Sequence, residues 1–188
     1  MLKMVSPLMI LPALWLNLAA KQIDILSADL QQITLQLTVD EWSERRIEVD
    51  GKALQLIGFD GAEWIGEVGA PRLPVRSVLL GVPPQGDVSI QVIEANPEER
   101  ATVMPAPTPR LERTEIGFRE IYQVDDEAYR RNEELNGERV RLEEPFFFRN
   151  QRVVRLVFLP LSYNPAQRTI QKYRRLVVQV NFVGGGAP

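Results

Sequence analysis

Histidine and cysteine are both absent from this 188-residue chain. A Ser-His-Asp triad, a Cys-His dyad and the usual zinc ligand sets are therefore excluded. Carboxylate chemistry survives that exclusion, and the clusters that could carry it are Asp125-Asp126-Glu127 and Glu143-Glu144. A glycosidase needs two such groups flanking a deep cleft, which nothing in so short a chain marks. The acidic triplet also lacks the spaced oxygen ligands of a calcium loop. Both clusters read as solvated loop or edge charge, and neither a metal nor a cofactor is expected. Arginine is the other chemistry-bearing type. Arg110 follows Thr108-Pro109 with Arg113 close behind, and Arg130-Arg131 lie in a second polar segment. With 22 basic against 25 acidic side chains the net charge is −3, which gives no electrostatic reason for a nucleic-acid or anionic-membrane partner.

The elements that must position these residues are strands. Residues 1–20, MLKMVSPLMILPALWLNLAA, have a lysine near the start, an apolar stretch from Leu8 to Leu16 and a small-residue end, the layout of a secretory signal peptide. Pro12 interrupts the apolar stretch, which is short of the roughly 20 residues a membrane span needs. Cleavage after Ala20 is expected, with the mature chain secreted, on the cell surface or in the periplasm. Residues 21–183 then form one all-β domain. Ile33, Leu35, Leu37 and Val39 alternate with Thr34, Gln36 and Thr38, as in a half-buried strand. Asp50-Gly51 separates Ile47 and Val49 from Leu54 and Leu56, predicting a hairpin.

Pro83-Pro84-Gln85-Gly86 predicts a turn into Val88, Ile90 and Val92. QRVVRLVFLPLSY is apolar on both faces, so it reads as a covered strand. The Asn164-Pro165 turn sends the chain into TIQKYRRLVVQVNF, and the two segments are expected to pair antiparallel. The best helical candidate, DDEAYRRNEEL, is mostly polar. Prolines 97, 105, 107 and 109 cannot donate to a ladder, so Asn96 to Glu115 reads as a long loop or an extension hugging a sheet edge. Residues 184–188 look like the start of a linker. The predicted fold is an antiparallel β-sandwich or barrel-like domain with little helix.

The stretch Gly69-Ala70-Pro71-Arg72-Leu73-Pro74, followed by Val78-Leu79-Leu80-Gly81-Val82-Pro83-Pro84, resembles the propeptide of gingipain-type secreted cysteine peptidases, where a G-x-P-x-L-P element precedes a strand ending in proline and glycine. The closing block RNQRVVRLVFLPLSYNPAQRTIQKYRRLVVQVNF is similar to that family's final strands and its Tyr-Asn-Pro turn. The resemblance implies a non-catalytic pro-domain that precedes a caspase-like domain carrying the catalytic Cys and His. It implies a latency-maintaining inhibitor and folding assistant, with a cognate cysteine peptidase domain as partner, in cis or in trans. Some members of the family present a basic side chain to the specificity pocket. Arg110, Arg113, Arg130 and Arg131 are the candidates for that contact, Arg110 first among them. Gly69, Pro71, Leu73, Pro74, Pro83 and Pro84 are assigned instead to shaping the fold, by fixing where strands begin and end. The alternative is a secreted β-sandwich adhesion or carbohydrate-binding module, using Trp42, Trp64 or Phe146-Phe147-Phe148 as exposed aromatics. Packing of those side chains in the core or along an edge is the competing expectation.

Overall fold

The computed structural model describes residues 23–184. The expected signal peptide and all but the first residue of the expected linker lie outside the described residues. Among the described residues sixteen strands follow one another, with almost no helix between them. They are β1 (Ile23–Ala28), β2 (Gln32–Thr38), β3 (Trp42–Val49), β4 (Lys52–Phe59), β5 (Glu63–Ile65), β6 (Leu73–Gly81), β7 (Asp87–Ala95) and β8 (Glu99–Thr102). The second half continues with β9 (Arg110–Thr114), β10 (Gly117–Ile121), β11 (Val140–Leu142), β12 (Phe146–Phe148), β13 (Gln151–Phe158), β14 (Leu161–Asn164), β15 (Thr169–Lys172) and β16 (Arg175–Val183). The mostly polar segment around residue 130 forms only a single 3-10 turn, Ala128–Arg130. Without an apolar stripe, a longer helix there would have no face to bury.

Two sheets build the sandwich. One has the order β1-β2-β16-β7, and the other runs β11-β13-β6-β5 with β12 also on β13. Their inner faces share one core, which takes Leu35 and Leu37 from β2 and Leu176, Val178 and Val180 from β16. Val154, Leu156 and Phe158 of β13 and Leu80 of β6 close it from the other side. The alternation read in β2 therefore faces inward as expected. The sheets stay open, so the sandwich and not the barrel is the architecture. The opposite face of β13 is covered as well, because Val157 packs with Val75 and Leu159 in a smaller cluster.

Asp50 and Gly51, at φ +51° and +72°, turn β3 into β4 as a two-residue hairpin loop. The C-terminal pairing differs from expectation. Only β14 and β15 pair across the Asn164-Pro165 turn, whereas β13 pairs with β6 and β16 lies between β2 and β7 in the opposing sheet. Pro160 lacks the N–H that would continue the ladder and stands where β13 ends, so the chain changes sheets there.

Between β5, β6 and β13 lies a polar cluster. Glu63 accepts hydrogen bonds from the Ser77 hydroxyl at 2.8 Å and from Arg155 at 2.7 Å. Burial pushes the Glu63 carboxyl up, but the bonds from Ser77 and the Arg155 charge outweigh it and hold the group below the ordinary value of 4.5. Glu134 is likewise held low, first by a hydrogen bond from Ser162 and then by Arg139. A carboxylate with a depressed folded-state pKa adds stability above its unfolded pKa and loses it as pH falls through the folded one. The melting temperature is therefore expected to be level between about pH 6 and 8, since the chain has no histidine, and to drop below about pH 4.5. Circular-dichroism melts across pH check this, with Glu63→Gln flattening part of the acid limb. A transition centred near neutrality contradicts it.

Candidate functional site

The proline-rich segment after β8 is the extension that hugs an edge. In Met104-Pro105-Ala106-Pro107-Thr108-Pro109, N–H groups alternate with prolines, and an extended chain points alternate residues to opposite sides. Two of these N–H groups bond to the body: Ala106 donates to Gln55 O at 2.7 Å and Thr108 to Ala70 O at 2.8 Å. In return the N–H groups of Gln55, Arg72 and Gly69 donate to the carbonyls of Met104, Ala106 and Thr108 at 2.8, 2.8 and 2.9 Å. Pro105, Pro107 and Pro109, themselves buried, have no N–H to place on the other edge, so the strap offers no N–H row there to a stray strand. Pro105 keeps a use for its carbonyl, which accepts the buried Tyr129 hydroxyl at 2.7 Å. That hydroxyl has its pKa raised, chiefly by burial.

The strap meets the Gly69-Ala70-Pro71-Arg72-Leu73-Pro74 stretch head on, with Pro71 opposite Pro107. Gly69 sits at φ +89°, a conformation costly to any residue with a Cβ. Its N–H binds Thr108 O and its carbonyl accepts Asp125 N–H at 3.0 Å. Leu73 and Val75 point inward, 3% and 1% exposed. Pro83 and Pro84 stand in the connection from β6 to β7, where Gly86 takes φ +90°.

Directly after Pro109 the chain forms the β9–β10 hairpin, which pairs only with itself among the described residues. Arg110 and Arg113, expected in a loop, are thus on a strand. Both are exposed, and neither has an ion-pair partner within 4.0 Å among the described residues; Arg110 lies close enough to Glu112 to favour its ionised form. Glu112 pairs instead with Arg119 across the hairpin at 2.7 Å. Leu111 and Phe118 are exposed, and Ile116 at the tip is fully so. The hairpin's base is locked to the body. Arg72 lies over the Trp64 ring at 4.3 Å and pairs with Glu120 at 3.3 Å, and Glu120 also accepts the Tyr122 hydroxyl. These residues line a shallow cleft of about 420 Å³ with Ser43, Glu44 and Leu56.

The remaining candidates separate. Arg130 and Arg131 are exposed around the end of the 3-10 turn, and Arg131 stands 4.0 Å from Glu133. Asp125 accepts Glu127 N–H at 2.9 Å just before that turn, and Asp126 pairs with Lys52 at 2.6 Å. Glu143 and Glu144 are exposed between β11 and β12. Trp42 packs edge-to-face on Phe59, as the competing expectation held. The three phenylalanines do not follow it, since Phe146, Phe147 and Phe148 are all exposed. The β9–β10 hairpin also escaped sequence reading. Its signal is the equal-length pair RLERT and GFREI around Glu115-Ile116, which the surrounding prolines obscure.

Among the described residues the fold is an all-β body, and its β9–β10 hairpin, carrying Arg110 and Arg113, pairs with no other strand. The chain belongs to the gingipain-type propeptide family: the family model described as Propeptide_C25 matches residues 19–186. Among curated proteins, Gingipain R2 of Porphyromonas gingivalis is 27% identical over 160 residues, covering 85% of this chain and 22% of that protein. Gingipain R1 of the same organism is 25% identical over 158 residues, covering 84% of this chain and 16% of that protein. The chain therefore spans about a fifth of the length of the curated relatives it matches.

Two solved structures share the fold. The complex of Porphyromonas gingivalis RgpB pro- and mature domains superimposes with a TM-score of 0.76 at 24% identity, covering 89% of this chain and 88% of that one. A structure on the zymogenic latency of gingipain K from the same organism gives 0.68 at 18% identity, covering 85% and 91%.

Proposed function

We propose that this chain is the inhibitory pro-domain of a secreted gingipain-type cysteine peptidase, exported by its first twenty residues, and that the β9–β10 hairpin lies across the peptidase's cleft with Arg110 in the specificity pocket. The observation that carries this is the stitching of the proline strap to Gly69 and β4, which delivers Arg110 on a rigid, outward hairpin. Pre-set φ angles and paired inward N–H groups leave little conformational freedom to lose on binding, so more of the contact energy appears as affinity. The same stiffness is expected to resist cleavage. A peptide bond in a self-paired hairpin cannot settle into near-attack geometry without breaking its own ladder. Assistance in folding follows from the same complementarity, because a surface that binds the folded peptidase stabilises it by mass action. The structural relatives support the role, since one pairs a pro-domain with its mature domain and the other concerns zymogenic latency.

Arg110→Ala is expected to raise the inhibition constant against a gingipain-type peptidase about 30-fold, the equivalent of about 2 kcal/mol for a central charged anchor. The melting temperature should not move, because the side chain is exposed and free of ion pairs. Arg113→Ala, Arg130→Ala and Arg131→Ala should each change inhibition less. If Arg110→Ala inhibits as the parent does, the pocket residue is another one.

A further inference from the structure

Three consecutive aromatic side chains make up β12, and Phe146, Phe147 and Phe148 are 43%, 67% and 59% exposed. The strand pairs with β13 alone, Phe146 opposite Val153, Phe147 opposite Arg152 and Phe148 opposite Gln151, which leaves its outer edge open among the described residues. Strand alternation puts Phe147 on one face and its neighbours on the other, so no single layer of this domain could cover all three. Glu143-Glu144-Pro145 before the strand and Arg149 after it keep the open edge short and charged at its ends. Adjacent exposed aromatics on a free edge mark a surface that a partner covers.

The position of β12 identifies the partner. Arg152, opposite Phe147, donates to the carbonyls of Pro83 and Gly86 at 3.0 and 2.9 Å, and Gln151, opposite Phe148, donates to Val82 O at 3.1 Å. The last residues of β16 reach that same turn: Val183 pairs with Asp87, and a methyl group added to Gly184 would stand 3.9 Å from Gly86 Cα. The phenylalanine strand, the β6–β7 turn and the exit of the chain thus share one end of the sandwich. We propose that β12 is a docking strand for the peptidase domain that follows on the same chain, which adds its own backbone edge to β12 and takes the phenylalanines into an apolar groove. This rests on the inhibitory role proposed above. A tether leaving beside the docking strand holds the partner at an effective concentration of order millimolar, enough to keep a modest aromatic contact occupied until the tether is cut.

The test compares the purified chain with its Phe146→Ser/Phe147→Ser/Phe148→Ser variant as inhibitors of a gingipain-type peptidase, with sedimentation of both alone. The variant is expected to inhibit at least about 10-fold more weakly, with an unchanged melting temperature and both chains monomeric. Phe147→Ser alone should show part of the loss, and serves if the triple change misfolds. Equal inhibition by the parent and a folded variant overturns the proposal while leaving the inhibitory role intact. A parent dimer that the variant converts to monomer also overturns it, by giving the strand to a second copy. If the parent does not inhibit at all, the inhibitory role itself fails and the docking strand falls with it.

Discussion

Gly69→Val is expected to destabilise the domain by about 3 kcal/mol or more, lowering its melting temperature by roughly 10 °C. Two costs combine at this position. The φ of +89° lies outside what a β-branched residue adopts, and the new Cβ would stand 3.1 Å from Asp125 Cβ and 3.4 Å from the Asp125 nitrogen. Neither neighbour can yield easily, because Asp125 N–H is bonded to Gly69 O and its side chain accepts Glu127 N–H. Gly51→Ala provides the comparison. Its φ is +72° but an added Cβ meets nothing within 4 Å, so only the backbone term of about 1 kcal/mol remains. Equal losses at the two glycines would show that the approach of Asp125 to Gly69 does not matter. Because Gly69 also donates its N–H to Thr108 O of the strap, its replacement should loosen the strap that leads into the β9–β10 hairpin, visible as faster hydrogen exchange at Ala106 and Thr108.

Glu44→Ala is expected to cost about 2 kcal/mol, whereas Lys172→Met should cost less than about 1 kcal/mol. Lys172 is 3% exposed, and its ammonium pairs with the Glu44 carboxylate while lying 5.7 Å from the Trp42 ring centre. Glu44 has access to water and Lys172 does not. Removing the carboxylate therefore takes a charge partner from an ammonium that water does not reach, while removing the lysine lets Glu44 hydrate and puts an apolar chain of similar length in the gap. Urea denaturation of the two variants gives the comparison, and the reverse order of losses would contradict this account of the pair.

What the sequence made legible is what side-chain alternation encodes. The inward faces of β2 and β16, the Asp50-Gly51 hairpin and the double burial of β13 follow from residue order alone, because each is a local pattern. Partnership is not local. Leu156 and Val178 both announce a buried strand, yet nothing in their alternation says that they face each other from opposing sheets instead of pairing in one. The strap was half legible: prolines 105, 107 and 109 rule out an ordinary ladder, but their spacing of two, which leaves the intervening N–H groups free to bond inward, gains its meaning only once Gly69 and Gln55 are opposite. Trp42 and the phenylalanines show a similar limit. A tryptophan and a run of phenylalanines are equally apolar in sequence, and only the position of β12 at an open edge separates the exposed set from the packed one.

The central claim is that this domain acts by occupying another protein's cleft, and a tight-binding titration measures that most directly. A fixed amount of gingipain-type peptidase is mixed with increasing amounts of the purified chain, and residual activity is read after equilibration. Residual activity is expected to fall linearly to an end point at equimolar chain, with the chain recovered uncut from the complex. Full activity in a large molar excess of intact, folded chain would contradict it.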